Sequence, residues 1–181
     1  SSLWAMSLKR LKIREGVRTS KRWTSNILIS LILFSAFYLL FVPVHFLSFR
    51  TQDRELCSAP APSGVEIKTG YIHSVEKTPV EDVYVLSGPR LWLWEEHFRS
   101  HNAGLPTEPP PRGRFLLQRD WMVIRGSPYT WEVLRIRIGD DELGKNWIYS
   151  STTGKLDLYQ LIPNSVFYIE VTQVPLLFRK R

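Results

Sequence analysis

The sequence predicts a single N-terminal transmembrane helix followed by a small, mainly antiparallel β (α+β) domain, sandwich or barrel-like, with one short inserted helix. Three observations lead to this fold class. An apolar run without a formal charge occupies residues 27–49. Beyond it, apolar and polar residues alternate in short segments, which is the periodicity of strands. Gly, Pro, Asn and Asp separate these segments, as expected for turns.

Residues 1–25 form a basic segment that is predicted to lie in the cytoplasm. It carries seven Lys or Arg residues against the single acidic residue Glu15. This excess on one flank of the apolar run predicts a cytoplasmic N-terminus. The same side chains are predicted to contact anionic lipid headgroups. The predicted headgroup contacts are Lys9, Arg10, Lys12, Arg14, Arg18, Lys21 and Arg22.

The transmembrane helix is predicted over residues 26–49. The 23 residues of the uncharged run would span roughly 35 Å as a helix at about 1.5 Å per residue, which exceeds the roughly 30 Å of a bilayer core. An uncleaved signal-anchor is favoured over a signal peptide, because no small-residue cleavage site follows the run directly. The predicted membrane-anchoring side chains are Trp23, Ile27, Phe34, Phe41 and Phe49.

This topology predicts a location and a first partner. The chain is expected in the bacterial inner (cytoplasmic) membrane, with the lipid bilayer as a partner and the C-terminal domain in the periplasm. A eukaryotic organelle membrane is the alternative. Residues 50–64 are predicted to be a Pro- and Ser-rich linker. The linker contains Cys57, the only cysteine of the chain, so an intrachain disulfide is excluded.

Residues 65–175 are predicted to form the β-rich domain. A series of short consecutive strands favours an antiparallel sheet folded as a sandwich or small barrel. A turn is expected at residues 139–144, and residues 176–181 form a basic end. The strands are predicted at residues 65–75, 80–86, 114–124, 130–138, 146–151, 155–161 and 166–174.

The short inserted helix is predicted over residues 90–102. Pro89 suits the first position of a helix, and a strand at residues 91–94 is the alternative. The neighbouring segment 105–113 must be a loop, because its prolines cannot donate to a sheet. Four residues would share one face of the helix, namely Leu91, Trp94, Phe98 and His101.

The charge of the predicted domain argues against one class of partner. Residues 50–181 hold 17 basic and 16 acidic residues, so the net charge of +7 belongs almost entirely to the N-terminal segment. A nucleic-acid-binding module concentrates basic charge on its folded part. Nucleic acid is therefore not a predicted partner.

We predict a protein without catalytic activity, cofactor or bound metal. Residues 139–145 have the spacing G-x-x-x-x-G-K, but Asn146 stands where a phosphate loop needs Ser or Thr. His97 and His101 are four residues apart and are weak candidates for a metal-binding pair, and no spacing supports His73 as a third ligand. A Gly-x-Ser-x-Gly nucleophile motif does not occur.

The aromatic residues are the remaining functional observation. Most are expected to fill the core of a small domain without disulfides. Trp, Tyr and Arg also dominate the energetics of protein interfaces. We therefore predict that a contact surface lies beside the Pro-rich loop. Its predicted partner-binding residues are Arg90, Trp92, Trp94 and Phe98.

These expectations lead to one functional hypothesis and two alternatives. The leading hypothesis is a non-catalytic, membrane-anchored binding or assembly protein, an accessory subunit of an envelope complex of secretion, transfer or immunity type. Its extracytoplasmic domain would dock on other membrane or periplasmic proteins. The first alternative is a membrane-tethered β-barrel that binds a small ligand or lipid. The second is an envelope enzyme with a site built from His73, His97 and His101.

Overall fold

The structure is a computed structural model that describes residues 23–38, 40–41, 43–100 and 108–175. The chain divides into two compact units, one formed by Ser1–Pro43 with Pro175–Arg181 and the other by Val44–Val174. Three predicted features lie outside the described residues: the headgroup contacts of the basic segment, the basic end 176–181, and His101.

The first described element is helix α1, over residues 23–38 and 40–41. All of its described residues are exposed, including four predicted membrane anchors, Trp23, Ile27, Phe34 and Phe41. Among the described residues, the structure has no helix that combines the length and the apolar character needed to cross a membrane.

The second part of the apolar run forms strand β1, Pro43–Arg50, so the prediction of a helix to residue 49 is wrong. Pro43 removes a backbone N–H and does not continue a helix readily. Leu47 and Phe49 are fully buried in the core of the second unit. Phe49 is therefore a core residue and not a membrane anchor. An uncharged apolar run suits both a bilayer and a protein core, and its composition alone does not separate them.

The predicted linker also contains a strand. Strand β2, Glu55–Pro60, pairs antiparallel with β1 and places Cys57 opposite Phe49. The thiol of Cys57 is free and partly buried. Residues 50–64 are therefore part of the β domain, which begins at β1 and not at residue 65.

The smaller of two sheets contains four strands in the order β2-β1-β12-β9. Strand β9 is Val133–Arg137 and strand β12 is Val166–Pro175. Strand β12 confirms the strand predicted at residues 166–174. Its alternate residues Phe167, Ile169 and Val171 are buried, so one face of this sheet packs on the core.

The larger sheet has the order β11-β10-β3-β4-β5-β7-β6, and β8 pairs with β5 beside this path. All of its pairings are antiparallel. Its strands are β3 Glu66–Ile72, β4 Pro79–Ser87, β5 Arg90–Phe98, β6 Arg114–Gln118, β7 Trp121–Arg125, β8 Thr130–Trp131, β10 Trp147–Ser150 and β11 Gly154–Asp157.

The helix predicted at residues 90–102 is wrong, because residues 90–98 form the interior strand β5. The alternative, a strand at residues 91–94, is confirmed. The neighbours of β5 on both sides satisfy its backbone groups, and this tertiary pairing overrides local propensity. Among the described residues of the domain, the one short helix is α2, Leu158–Leu161, where a strand was predicted. The predicted mainly antiparallel β domain with a short helix is confirmed, but the helix lies elsewhere.

Two predicted strands are each divided in the structure. The segment 114–124 forms the hairpin β6–β7, which turns at Arg119, where φ is +49°. The segment 130–138 contains β8, which pairs in the larger sheet, and β9, which pairs in the smaller one. The chain therefore changes sheets between Trp131 and Val133.

The two sheets share one main core. It includes Phe49 and Phe167 from the smaller sheet, whose rings stack at 6.1 Å, and Ile67, Leu86 and Leu91 from the larger sheet. A second cluster is formed by Val80, Phe98 and Ile124, with three partly buried neighbours. The register of β4 against β5 places both clusters on one face of the larger sheet, here called the inner face.

Candidate binding groove on the outer face of the larger sheet

The opposite face of the larger sheet, here called the outer face, carries a groove with a volume of about 610 Å³. This volume lies within the range of ligand and peptide pockets. Its lining is mainly aromatic, proline and glycine residues. The lining residues are Trp92, Trp94, Pro110, Pro111, Arg112, Gly126, Ser127 and Pro128.

Two tryptophans of strand β5 form the floor of the groove. Because side chains alternate along a strand, Trp92 and Trp94 project to the outer face while Leu91 and Leu93 are buried in the main core. The two indole rings lie 4.9 Å apart between centroids, with an angle of 58° between their planes. The Nε1–H of Trp92 donates to the carbonyl oxygen of Ser127 at 2.5 Å, which holds this ring in place.

The Pro-rich loop forms one wall. The backbone N–H of Gly113 donates to the carbonyl oxygen of Pro110 at 2.8 Å and closes the loop. A Cβ atom at Gly113 would lie 2.6 Å from Cγ of Pro110 and 2.8 Å from the carbonyl oxygen of Arg125. Only glycine therefore allows the loop to pack this closely on β7.

Residues 126–129 form the other wall, where the chain leaves β7 and enters β8. The N–H of Gly126 donates to the carbonyl oxygen of Trp94 at 2.9 Å, and the N–H of Leu93 donates to that of Tyr129 at 3.1 Å. Gly126 has φ of +86°, a conformation that glycine adopts without strain. Both walls are thus held by backbone hydrogen bonds.

An ionic cluster lies directly beside the groove. Arg125 stacks on the ring of Trp94 at 5.5 Å from the centroid, and its Nε–H donates to Glu95 Oε1 at 2.7 Å. The other oxygen of Glu95 accepts from Nε2 of His97 at 2.6 Å. Burial alone would raise the pKa of Glu95, but the hydrogen bonds from His97 and Arg125 outweigh it, and the pKa is lowered.

A β-bulge explains this arrangement. In the pairing of β4 with β5, Val83 lies opposite Glu95 and Tyr84 lies opposite Leu93, so Trp94 is the extra residue. A bulge changes the direction of the side chains around it. The neighbours Trp94 and Glu95 can therefore both contact Arg125.

The charge on the lining of the groove is positive. Arg112 is the only charged residue of the lining, and it is exposed. Arg114, two residues further on, is also exposed. Within the described ranges, neither guanidinium takes part in an ion pair. The groove is therefore apolar with a positively charged rim.

The structure brings together some of the predicted site residues and separates others. Trp92 and Trp94 lie with the Pro-rich loop in the groove. Arg90 is exposed outside the groove lining and pairs with Glu132 at 3.0 Å. Phe98 is completely buried in the second cluster of the inner face, so its side chain is not part of the groove.

The predicted chemical motifs have structural roles where they are described. His97 binds Glu95, and Nδ1 of His73 accepts from two backbone N–H groups of its own turn. The turn at residues 139–144 is confirmed, and Asp140 accepts from its backbone N–H groups at Glu142 and Leu143. In the part of the chain that the structure describes, no three His, Cys, Asp or Glu side chains are grouped as metal ligands would be.

A polar row crosses the inner face between the two apolar clusters. Asp82 lies opposite Glu96 on β5 and opposite Thr69 on β3. Burial first, and the carboxylate of Glu96 second, raise the pKa of Asp82 to about 7, against a smaller opposing effect of the hydrogen bond from Tyr84. Burial also raises the pKa of Glu96. Sequence reasoning did not find this row, because Glu96 was predicted to lie on a helix and not on a strand beside Asp82.

Sequence reasoning also missed half of the groove. The wall at residues 126–128 and the cation Arg125 were assigned no role. Arg112 was available as a basic residue directly after the prolines, and this was the one local indication of a charged rim. The rest depends on the strand order, which brings residues 92–94, 110–112 and 126–128 together.

The comparisons with known proteins give one finding. Residues 67–156 match the family model described as a domain of unknown function (DUF1850). The match runs from the second residue of β3 to the third residue of β11, and it includes all lining residues of the groove. Comparison with curated proteins and with solved structures finds no match.

Proposed function

We propose that this is a non-catalytic, membrane-tethered binding protein whose β domain docks on a protein partner through the groove of Trp92 and Trp94. It would act as an accessory subunit of an envelope complex of secretion, transfer or immunity type. The observation that carries the proposal is the pair of partly buried tryptophans on the outer face, held between two walls and open to a ligand.

The construction of the groove supports binding. The Trp92 ring, the Pro110 loop and Gly126 are each held by a hydrogen bond within the domain. A surface that is ordered before association loses less conformational entropy on binding. Tryptophan and arginine are also the residues that most often dominate binding energy at protein interfaces. The groove is ordered before binding and is lined by tryptophan and arginine.

The ionic cluster beside the groove supports a non-catalytic role. His97 and Glu95 are the described groups of the cluster that could act as a general base, and His97 contacts the carboxylate of Glu95 and the ring of Trp121. No hydroxyl or thiol contacts His97 among the described residues, so the pairing needed for an activated nucleophile is not formed. Glu95 in turn binds Arg125, and the three side chains form a structural network.

Membrane tethering is supported by the sequence and by α1. The 20 residues from Trp23 to Val42 carry no charge, and a helix of that length would measure roughly 30 Å, the thickness of a bilayer core. The large apolar side chains of α1 are exposed, for example Leu33 at 65% and Phe34 at 68%. Exposure of apolar area to water is unfavourable by about 25 cal/mol per Å². A bilayer would remove this penalty.

The orientation follows from the basic segment. Its excess of Lys and Arg favours a cytoplasmic N-terminus, which would direct the β domain into the periplasm of a bacterium. A eukaryotic organelle membrane is the alternative. Confinement to the membrane surface raises the effective concentration of the domain near other membrane proteins. The tether and the groove would therefore act together.

Site-specific photocrosslinking tests the docking function. A photoreactive phenylalanine analogue at Pro128, on the exposed wall of the groove, is compared with the same analogue at Arg137, which is exposed on β9 of the smaller sheet. In the full-length protein in its native membrane, we expect a discrete crosslinked partner from position 128 only. The Trp94→Ala variant should remove it. Equal crosslinking from both positions, or none from position 128, would contradict the proposal.

Cysteine labelling tests the tether. In the background Cys57→Ser, the variant Leu117→Cys places a single thiol at a side chain that is 76% exposed. We expect the protein to stay in the membrane pellet after alkaline extraction. A membrane-impermeant maleimide should label it in intact spheroplasts. Extraction into the supernatant, or labelling only after lysis, would refute the tether or the orientation.

One observation favours a second function, the binding of a small ligand. The groove volume of about 610 Å³ would suit a compound of moderate size. The described strands form two sheets, however, and not the single closed sheet that the barrel alternative requires. Native mass spectrometry of the purified full-length protein distinguishes the two functions, because a bound compound that is lost in Trp94→Ala would favour the ligand.

A further inference from the structure

We infer that the occupant of the groove is an extended, proline-containing protein segment that carries a carboxylate next to its prolines. This inference rests on the proposed docking function and adds the chemistry of the partner. Three properties of the groove carry it: the shape of the aromatic floor, the donor that is left for a ligand, and the sign of the charge at the rim.

The floor and walls suit a polyproline II segment. Such segments dock in grooves lined with aromatic residues and are extended before they bind. The Trp92 and Trp94 rings, tilted by 58° at a centroid distance of 4.9 Å, form a V-shaped floor for apolar rings. The walls contribute Pro110, Pro111 and Pro128, so a flat, rigid and apolar surface faces the ligand from each side.

The hydrogen-bonding groups of the groove also match such a segment. A polyproline II chain makes no internal hydrogen bonds and presents its carbonyl oxygens outward. The Nε1–H of Trp92 is used internally by Ser127. The indole N–H of Trp94 donates to no acceptor among the described residues. The Trp94 donor is therefore left for a carbonyl oxygen of the ligand.

The charge at the rim selects an acidic partner. Arg112 lines the groove, Arg114 lies two residues away, and neither has an acidic partner in the described part of the chain. The carboxylate of Glu95, which lies beside the groove, already binds His97 and Arg125. A guanidinium matches a carboxylate with two parallel hydrogen bonds. A lysine or arginine of the ligand would instead be repelled.

Fluorescence anisotropy with synthetic peptides tests the inference on the full-length protein in zwitterionic nanodiscs. The probe is a labelled peptide of the repeat Pro-Pro-Asp-Pro-Pro-Glu. Its two controls are the basic repeat Pro-Pro-Lys-Pro-Pro-Lys and the flexible repeat Gly-Ser-Asp-Gly-Ser-Glu. At low salt we expect the acidic proline peptide to bind at least about tenfold more tightly than either control.

Matched variants assign the binding to the groove. Arg112→Glu should reverse the preference, so that the basic proline peptide binds better than the acidic one. Arg137→Glu, on the smaller sheet, makes the same change of charge at an exposed site away from the groove and should leave the preference unchanged. Trp94→Ala should abolish binding. Tyr149→Ala, which changes a side chain that is 45% exposed on the same sheet, should leave binding unchanged. Circular dichroism verifies the fold of each variant.

The outcomes separate this inference from the docking function. Equal affinity for the three peptides, a preference for the basic peptide, or binding that Arg112→Glu leaves unchanged would overturn it. Binding to anionic vesicles that depends on Arg112, without binding of any peptide, would overturn it in favour of a lipid surface. If the crosslink from position 128 persists in these cases, the docking function stands and only the partner chemistry is wrong.

Discussion

The two faces of strand β5 have opposite characters. On the inner face, Leu91 and Phe98 are fully buried and Leu93 is 6% exposed, and these side chains belong to the two apolar clusters. On the outer face, Trp92 and Trp94 are only partly buried and form the floor of the groove. If the proposed docking function is correct, the two faces divide stability and recognition between adjacent residues of one strand. This difference indicates where substitutions should affect folding and where they should affect binding.

The largest expected effect is on the inner face. Phe98→Ala removes a fully buried ring, and losses of this kind usually destabilise a protein by about 3–5 kcal/mol. Trp94→Ala should cost clearly less stability, because its ring is partly exposed, but it should abolish partner binding. Urea unfolding of both variants measures the difference. If Trp94→Ala destabilises the domain as much as Phe98→Ala does, the claim that stability depends mainly on the inner face is wrong.

A second prediction concerns pH and the polar row of the inner face. The pKa of Asp82 is about 7 in the folded protein, compared with about 3.9 in an unfolded chain. The folded state therefore holds a proton that the unfolded state releases. This contribution to stability is fully present below about pH 4 and is lost as the pH rises through about 7.

The expected loss over this pH range is at most roughly 4 kcal/mol, at 1.36 kcal/mol per pKa unit. Urea midpoints measured from pH 4 to pH 8 give the slope. Asp82→Asn should flatten this slope, while Asp120→Asn, in the exposed turn between β6 and β7, should leave it as it is. A wild-type slope that Asp82→Asn does not change would contradict the assignment.

A smaller effect is expected at the wall of the groove. Gly113→Ala places a methyl group against Pro110 and the Arg125 carbonyl oxygen, and overpacking of this kind costs about 1–3 kcal/mol. It should also weaken binding, because the wall must move. Gly88→Ala is the control, since φ there is +56° with open space around it. This control should lose about 1–2 kcal/mol of stability, because an L-residue is strained at this φ, and it should keep its affinity. Wild-type affinity in Gly113→Ala would show that the wall does not contribute.

The smallest effect is expected at Arg90. Its ion pair with Glu132 is exposed on both sides, at 46% and 67%, and exposed pairs contribute about 0–1 kcal/mol. Arg90→Ala should therefore change neither the urea midpoint nor the anisotropy titration measurably. A clear loss of affinity in this variant would extend the binding surface beyond the groove.

The sequence predicted part of this fold correctly, and its errors have physical causes. Strands β4 and β12 were predicted within a residue or two, because both are rich in β-branched and aromatic residues and are bounded by Gly, Pro, Asn or Ser. Most of strand β1 was taken for a membrane helix, because residues 43–49 lack charge. Both a bilayer and a protein core favour such a composition. Only the pairing of β1 with β2 and β12 separates the two environments.

The error at β5 arises from its bulge. Without a bulge, alternation would place every second residue after Leu91 on the inner face. The extra residue Trp94 shifts the pattern, so that Glu96 and Phe98 follow Leu93 on that face. Leu91 and Phe98 therefore lie on the same face although they are seven residues apart, as they would on a helix. The tryptophans of the floor were predicted from their residue type and their place beside the Pro-rich loop, whereas the walls come from distant segments that only the strand order brings together.

The central claim is that the groove of Trp92 and Trp94 is the surface on which a partner docks. The most direct test is photocrosslinking from Pro128, compared with Arg137, in the full-length protein in its membrane. We predict a crosslinked partner from position 128 that is lost in Trp94→Ala and retained in Tyr149→Ala. A crosslink that persists in Trp94→Ala, or that appears equally from position 137, would contradict the claim.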